Sequence, residues 1–593
     1  NFYGNKAGDG LMISTIGKVT LYNVNAYQNS DNGVAIYASS GTGLINYTSS
    51  RSGTNTLTGN GAYGLYIESS GIVNLYSIDA TGNGYGGYVR NNYGDSRTVN
   101  INNSNFSYST IGTGLAVLSN GVISLNNVTS SSNLITGIVL NNATASTAQK
   151  VVINRVVANE NTTGSGMVIE TLGLVSLSNI TADSNAVYGA DIDNCQYDSG
   201  AGTCKSFAGI KLQGESSEFN GNNYGLIITS AGNIVLTNLS ADNNTSGLVI
   251  NNSYASNSSS VKISNSKGFT NSFSNNDSYG IYIEIPGEIT LGGIKANENG
   301  NTGVYLINTS STKFSDVTLI NVTANGNSND GVNIITMGDV MLKGVQTDEN
   351  TNYGINVNNS AASSSGNVTA MPYTTGGEGL KSSGNGKQGL VINTNGNISL
   401  TSIEISSNGT SGTIGAYLDN HGGGTAKSIV LKDAAFDDNN KDGVVILSKG
   451  QITWTGGSAS GNDSGTGATI SNTSASIARS ITISGVDFDE NTGTGLSVTS
   501  LGNITLGGVT ADNNGSDGVD LDNCVYSSST GTCTGTGKIV IQSSTTNSFN
   551  GNGATGLVVY SSGDITVVNV EANDNAVYGL TLKNNYTNAT GNI

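Results

Sequence analysis

Apolar and polar residues alternate along this chain in short runs, and each run is bounded by Gly or Asn. Gly166 to Asn185 shows the pattern: G-M-V-I-E-T-L-G-L-V-S-L-S-N-I-T-A-D-S-N. Period-two alternation belongs to a strand with one buried face, and no stretch carries the 3.6-residue period of an amphipathic helix. A glycine opens such a run 22 times, from Gly10 and Gly33 to Gly556 and Gly579. Spacings alternate between short (22 to 26 residues) and long (28 to 38), so the repeating unit is a pair of coils and eleven pairs occur. Repeats of this kind bury their apolar faces by stacking. The pattern predicts an all-β, right-handed parallel β-helix solenoid with three uneven faces per coil. One continuous domain over residues 1–593 is expected, starting and stopping mid-coil. At a coil spacing near 4.8 Å it would be a rod about 105 Å long.

Three positions recur within the pairs. Every short coil has a second glycine, among them Gly17, Gly121 and Gly450, expected to turn a corner with positive φ. Every short coil also closes on an asparagine: Asn29, Asn83, Asn133, Asn185, Asn244, Asn299, Asn350, Asn408, Asn462, Asn514 and Asn575. An Asn side chain both donates and accepts, so these predict an amide ladder along the axis; Asn also tolerates left-handed backbone. In ten of the eleven long coils another Asn follows the opening glycine by five residues, as at Asn142 and Asn472, where the extra residues leave the coil. The loops should therefore project from one edge. Trp454 replaces a core Leu while Gly457 replaces a core Val, a large-for-small exchange expected of a packed column.

The motif G-L-x-I-x-S-x-G-x-I-x-L-x-N-V-x-A-x-x-N resembles the pectin-lyase-like right-handed β-helix superfamily. It is most similar to repeat-rich prokaryotic surface and adhesin-type members, and the likeness covers the whole chain. That resemblance implies a fold shared by polysaccharide lyases and hydrolases, phage tailspikes and non-enzymatic surface rods; it does not choose a function among them.

Composition narrows the choice. Formal net charge is −18 with pI near 4.3, and only 11% of residues are charged. No basic stripe exists to displace phosphate counterions, so nucleic acid is excluded as a partner. No apolar run approaches the roughly 20 residues of a membrane-spanning helix. Cys195/Cys204 and Cys524/Cys533 share the context D-N-C-x8-C, which predicts two local disulfides and a secreted, extracellular or cell-surface location.

Catalytic constellations are not evident. Asp437 and Asp438 form a D-D within a turn, and His421 lies in N-H-G-G-G with no Asp or Lys following it. Acids gather just before the closing Asn (Asp183, Asp242, Glu298, Asp348, Glu349, Asp437, Asp438, Asp489, Glu490, Asp512, Asp574), where Ca²⁺ is the one cofactor worth testing; a solvated polar edge is preferred, and no metal site is assigned. A tyrosine precedes the opening glycine at Tyr63, Tyr85, Tyr188, Tyr224, Tyr279, Tyr353 and Tyr578, a row suited to corner packing or to stacking sugars. Glycosylation sequons occur at Asn46, Asn127, Asn179, Asn238, Asn321, Asn503 and Asn588. The reading is a non-enzymatic extracellular structural or adhesive rod, part of a surface fibre or filament. Its partners would be copies of itself, head-to-tail or side-by-side, or glycans and cell surfaces. The alternatives are a carbohydrate-active enzyme and a glycan-binding module.

Overall fold

The structure is a computed structural model. It describes residues 1–593 except 51–52, 253–258, 310–313, 375–376, 378, 411 and 476. The chain is an all-β parallel solenoid of 22 turns, and its contacts divide it into two units, Asn1–Lys295 and Ala296–Ile593. Each unit contributes eleven strands to a first parallel sheet, one strand per coil. Register is regular: Val117 pairs with Val89 below and Leu140 above, and Ile446 with Leu418 and Ile470. Inward positions such as Leu115, Val117, Ile446 and Leu418 have no exposed surface, while their neighbours face outward.

A second sheet and a short third face complete each coil. In Ile123–Thr129 the burial alternates until Asn127, which is exposed, and then resumes at Val128. Asn127 has φ +55°, and the same left-handed bend falls at Asn103, Arg155, Asn179, Asn238 and Asn321. One residue per coil in this conformation turns the strand onto the third face. A second left-handed residue stands just before the closing Asn, among them Glu160, Ser184, Glu298, Glu349, Asp438, Glu490 and Asp574. The closing Asn itself keeps ordinary φ, contrary to the expected left-handed role.

The asparagine ladder runs through both kinds of coil, twice as densely as the sequence reading placed it. In the first unit Asn29 Nδ2 donates to Asn60 Oδ1 at 2.9 Å and Asn60 Nδ2 to Asn83 Oδ1 at 2.9 Å. Asn133, Asn161, Asn185, Asn222, Asn244 and Asn276 continue in the same way, at 2.7–3.3 Å. In the second unit the column is unbroken from Asn299 through Asn327, Asn350, Asn385, Asn408, Asn439, Asn462, Asn491, Asn514 and Asn552 to Asn575, at 2.8–3.3 Å. Each oxygen also accepts the backbone N–H of the preceding rung, as Asn385 Oδ1 does from Asn350 at 2.9 Å. The second amide hydrogen goes to a buried carbonyl, as from Asn385 to Thr347 O at 2.9 Å. All four hydrogen-bonding positions of the amide are thereby used without water. Ser109 interrupts the first unit's column; it donates its N–H to Asn133 Oδ1 at 2.9 Å, but its buried hydroxyl has no partner.

The corner glycines do not have positive φ, which corrects the expectation drawn from sequence. Their reason is space. A Cβ at Gly121 would lie 2.0 Å from Arg97 O, at Gly173 2.0 Å from Gln149 O, and at Gly450 2.0 Å from Lys427 O. The corner therefore packs directly on the backbone of the preceding coil. A Ser or Thr two residues earlier holds it: Gly450 N–H donates to Ser448 Oγ at 2.9 Å, and Ser448 Oγ donates to Lys427 O at 3.1 Å.

Three positions before the ladder, large and small residues alternate along part of each unit. Phe436, Ala459, Phe488, Ala511 and Phe549 follow one another in successive coils, all fully buried, and Ala182, Phe219, Ala241 and Phe273 do so in the first unit. Trp454 is the largest buried side chain. Its indole meets Phe436 at 5.5 Å and Phe488 at 5.3 Å, both edge-to-face, and Nε1 donates to Gly456 O at 3.0 Å. Gly457, with φ +101°, passes close to Ala434 O, so the exchange read from sequence is a local rebuilding of both residues.

Two expected outcomes follow for stability. Asn385→Ala strands buried donors and an acceptor, and should lower the urea midpoint by an amount equivalent to about 2–4 kcal/mol, whereas Ser109→Asn, which completes a column, should raise it by about 1 kcal/mol; a destabilised Ser109→Asn chain would contradict the ladder's role. Gly450→Ala should broaden or lower the unfolding transition measured by far-ultraviolet dichroism, while Gly17→Ala, where the nearest atom to the new Cβ is Thr15 Oγ1 at 3.6 Å, should leave it unchanged.

Candidate functional site

The loops leave the coil at the second recurrent Asn, and this residue closes the loop behind it. Asn472 Nδ2 donates to Arg479 O, seven residues on, at 2.9 Å and to the corner carbonyl of Gly450 at 3.3 Å. Asn142 does the same with Gln149 O and Gly121 O, and Asn359 with Gly366 O and Gly338 O. In the two cysteine loops the return point lies fourteen residues away: Asn194 to Ala208 O at 2.7 Å, and Asn523 to Gly537 O at 2.6 Å.

Both disulfides form, between Cys195 and Cys204 and between Cys524 and Cys533. Each staples a small antiparallel hairpin, Tyr197–Asp198 against Thr203–Cys204 and Tyr526–Ser527 against Thr532–Cys533. A carboxylate caps the start of each: Cys195 N–H donates to Asp193 Oδ1 at 2.9 Å, and Cys524 N–H to Asp522 Oδ1 at 2.7 Å. Beside the second hairpin is a cavity of about 520 Å³ lined by Asp522, Tyr526, Tyr560, Lys583 and Tyr586. Asp520, two residues before Asp522 on the same strand, is half-buried. Burial, reinforced by Asp517 and Asp522, pushes its carboxyl up to about 6, and no donor among the described residues reaches its Oδ1.

A second concavity, about 480 Å³, holds Lys381, Glu404, Asp437 and Asp438. It is the place where carbohydrate chemistry would be sought, but Lys381, Glu404 and Asp437 have structural partners. Lys381 Nζ lies 3.5 Å from Glu404 Oε1. Asp437 accepts from Ser460 N–H at 2.8 Å and from Ser458 Oγ at 2.6 Å, and burial raises its carboxyl. The other acids before the ladder divide similarly. Asp183, Asp242, Asp348, Asp489 and Asp512 form an outer column whose oxygens accept N–H groups from the next coil, as Asp242 does from Ser274 and Asp489 from Asp512. Glu298, Glu349, Asp438, Glu490 and Asp574 occupy the left-handed position. Among the described residues no group of three or more Asp, Glu, His or Cys is arranged to hold a metal ion.

His421 has an acid that sequence reasoning missed, because it precedes the histidine instead of following it. Nδ1 lies 2.5 Å from Asp419 Oδ1, and Tyr417 Oη donates to Asp419 Oδ2 at 3.2 Å. Asp419 Oδ1 also accepts the N–H of His421 at 2.9 Å, the same turn that Asp193 and Asp522 make without a histidine. The pairing is thus explained by local turn geometry. The tyrosine row stacks on itself: the Tyr63 and Tyr85 rings are 4.8 Å apart and those of Tyr188 and Tyr224 5.9 Å apart. A parallel column of Tyr37, Tyr66 and Tyr88, unmarked in sequence, lies beside it. Of the sequons, Asn127, Asn321 and Asn503 are exposed, Asn46 and Asn179 are half-buried, and Asn238 is only 4% exposed. Asn588 is exposed, but its amide pairs with the Cys533 backbone at 2.9 and 2.8 Å.

The parallel coils and the asparagine ladder define a parallel β-helix, with two of its loops stapled by disulfides. No family model matches the chain, and no curated protein does. Among solved structures it is similar to pectate lyase Pel9A, with 14% identity over 68% of this chain and 69% of that one and a TM-score of 0.12. The fold therefore rests on the chain's own register, and the pectate lyase's activity does not transfer on that likeness.

The folded carboxyl of Asp520 holds its proton more tightly than an unfolded aspartate near 3.8. Stability contributed by this group is thus present at low pH and lost as pH rises from about 4 through about 6. Asp520→Asn should raise the urea midpoint at pH 7 and flatten its decline between pH 4 and 6; an unchanged profile would show that Asp520 is ionised without cost.

Proposed function

We propose that this chain is a non-enzymatic extracellular structural or adhesive element whose coils carry exposed loops to a partner. The observation that supports it most is where the polar chemistry goes. Asp183, Asp242, Asp348, Asp437, Asp489 and Asp512 accept coil-to-coil hydrogen bonds, the exit amides close the loop bases, and Lys381 is paired with Glu404. Groups so committed hold a scaffold together, and a general acid or base must be free to exchange its proton. Two disulfides fit an oxidising compartment, and among the described residues no helix is long and apolar enough to cross a membrane. Surface fibres of stacked copies, and adhesion through glycans or cell surfaces, are the partners this reading favours.

A second reading, a carbohydrate-active enzyme, is favoured only by the concavity around Lys381, Glu404, Asp437 and Asp438. The purified chain incubated with polyuronides and neutral polysaccharides should release no reducing ends and no unsaturated products. Turnover that disappears in Asp437→Asn would overturn the scaffold reading and place the chemistry in that concavity.

A further inference from the structure

The cavity beside the second disulfide hairpin is built by three successive coils and is not used by the scaffold. Register pairs Asp522 with Tyr560 and Tyr560 with Lys583, on the outward face of the first sheet. A carboxylate, a phenol ring and an ammonium thus follow one another at steps of roughly 4.8 Å. The hairpin adds Tyr526, and the next loop adds Asn585, Tyr586 and Thr587. The Tyr526 and Tyr586 rings stand 5.5 Å apart, inclined by 44°. Lys583 Nζ lies 5.6 Å from the ring centres of both Tyr560 and Tyr586, and no carboxylate among the described residues pairs with it.

The walls are held in place. Cys533 N–H donates to Asn588 Oδ1 at 2.9 Å, Asn588 Nδ2 donates back to Cys533 O at 2.8 Å, and Thr587 N–H donates to Gly531 O at 3.2 Å. The disulfide closes the hairpin and these three bonds tie the next loop to it, so a ligand would meet a surface that needs little ordering.

We infer that the cavity formed by Asp522, Tyr526, Tyr560, Lys583 and Tyr586 binds a short uncharged glycan. Sugar rings present an apolar C–H face and a hydroxyl rim. Tilted tyrosine rings suit the face. The carboxylate, ammonium, amide and hydroxyl of Asp522, Lys583, Asn585 and Thr587 suit the rim, as donors and acceptors at fixed places. Asp522 and Lys583 carry opposite charges, so the lining has little net charge with which to select an ion. The volume, about 520 Å³, lies within the usual range for small-ligand sites. The inference rests on the adhesive reading above and names its ligand.

The first unit supplies an internal control. Its cysteine loop repeats D-N-C-x8-C, with Tyr197 where the second unit has Tyr526. At the next two register positions after Asp193, however, stand Thr229 and Asn251, where the second unit has Tyr560 and Lys583. At these two positions the first unit therefore lacks a ring and the ammonium; its counterparts of Asn585, Tyr586 and Thr587 lie outside the described residues.

Saturation-transfer NMR of the full chain with a panel of neutral gluco-, manno- and galacto-oligosaccharides tests this. At least one member should bind. Binding should weaken by at least about tenfold in Tyr586→Ala and in the double variant Tyr560→Thr/Lys583→Asn, and persist in Tyr197→Ala. The double variant installs residues the first unit already carries, so loss of folding is not expected, and an unchanged unfolding midpoint verifies it. Silence across the whole panel, binding that survives both variants, or binding confined to carboxylated glycans would overturn the inference. Cleavage of a bound oligosaccharide would sink the scaffold reading and leave the binding site standing.

Discussion

Everything in this fold answers to one buried amide per coil. A closing Asn inside the solenoid has two donors and one two-fold acceptor, and no water is needed to satisfy them. It does so by bonding the rung above and the backbone N–H and a carbonyl of the coil below, as Asn385 does with Asn408, Asn350 and Thr347. That geometry constrains its neighbours. A Cβ at the glycine that opens the same coil would strike the amide: at Gly331 it would lie 2.7 Å from Asn350 Nδ2 and 2.8 Å from Gly354 O. The residue before the Asn must be left-handed to bring the side chain inward, even where it is Glu349 or Glu490. Asp cannot replace Asn without losing both donors and stacking like charges in a dry column.

The two-coil period has its own cause. A short coil turns its corner on a bare glycine, and that glycine packs on the carbonyl at which the preceding loop returns, as Gly450 does on Lys427. The next long coil then caps the corner carbonyl with its exit Asn, as Asn472 does with Gly450 O. Corner and loop base interlock, so loops open at every second coil. Where Phe and Ala alternate in the core, Phe falls in the long coil and Ala in the short one, because a large ring in one coil needs a small residue in the next.

These causes were legible in sequence to different depths. Strand alternation, the coil count and the closing Asn of the short coils follow from fixed spacing after the opening glycine. The matching Asn of the long coils escaped that count because loops of variable length stand between; counted back from the following glycine, Asn327, Asn439, Asn491 and Asn552 all lie four residues before it. The corner glycines were found correctly and explained wrongly. Positive φ is the common reason for a glycine, but the space taken by a neighbouring coil cannot be seen along one chain. The candidate ligand cavity was illegible for the same reason. Asp522, Tyr560 and Lys583 become neighbours only through inter-coil register, and the Tyr row marked in sequence is a different set of rings.

Division of labour follows from this architecture. Because each loop closes on its own exit Asn, residues beyond that bond can change without disturbing the ladder, the corner or the core. Differences between equivalent loops are therefore where function on such a scaffold is best read. The two cysteine loops illustrate the point. They share the capping Asp, the exit Asn, the disulfide and the first tyrosine, all of which shape the hairpin. They differ at the two outward positions that follow in register, where Thr229 and Asn251 stand against Tyr560 and Lys583. Neither pair faces the core, so the difference between them is a difference in what each surface can hold.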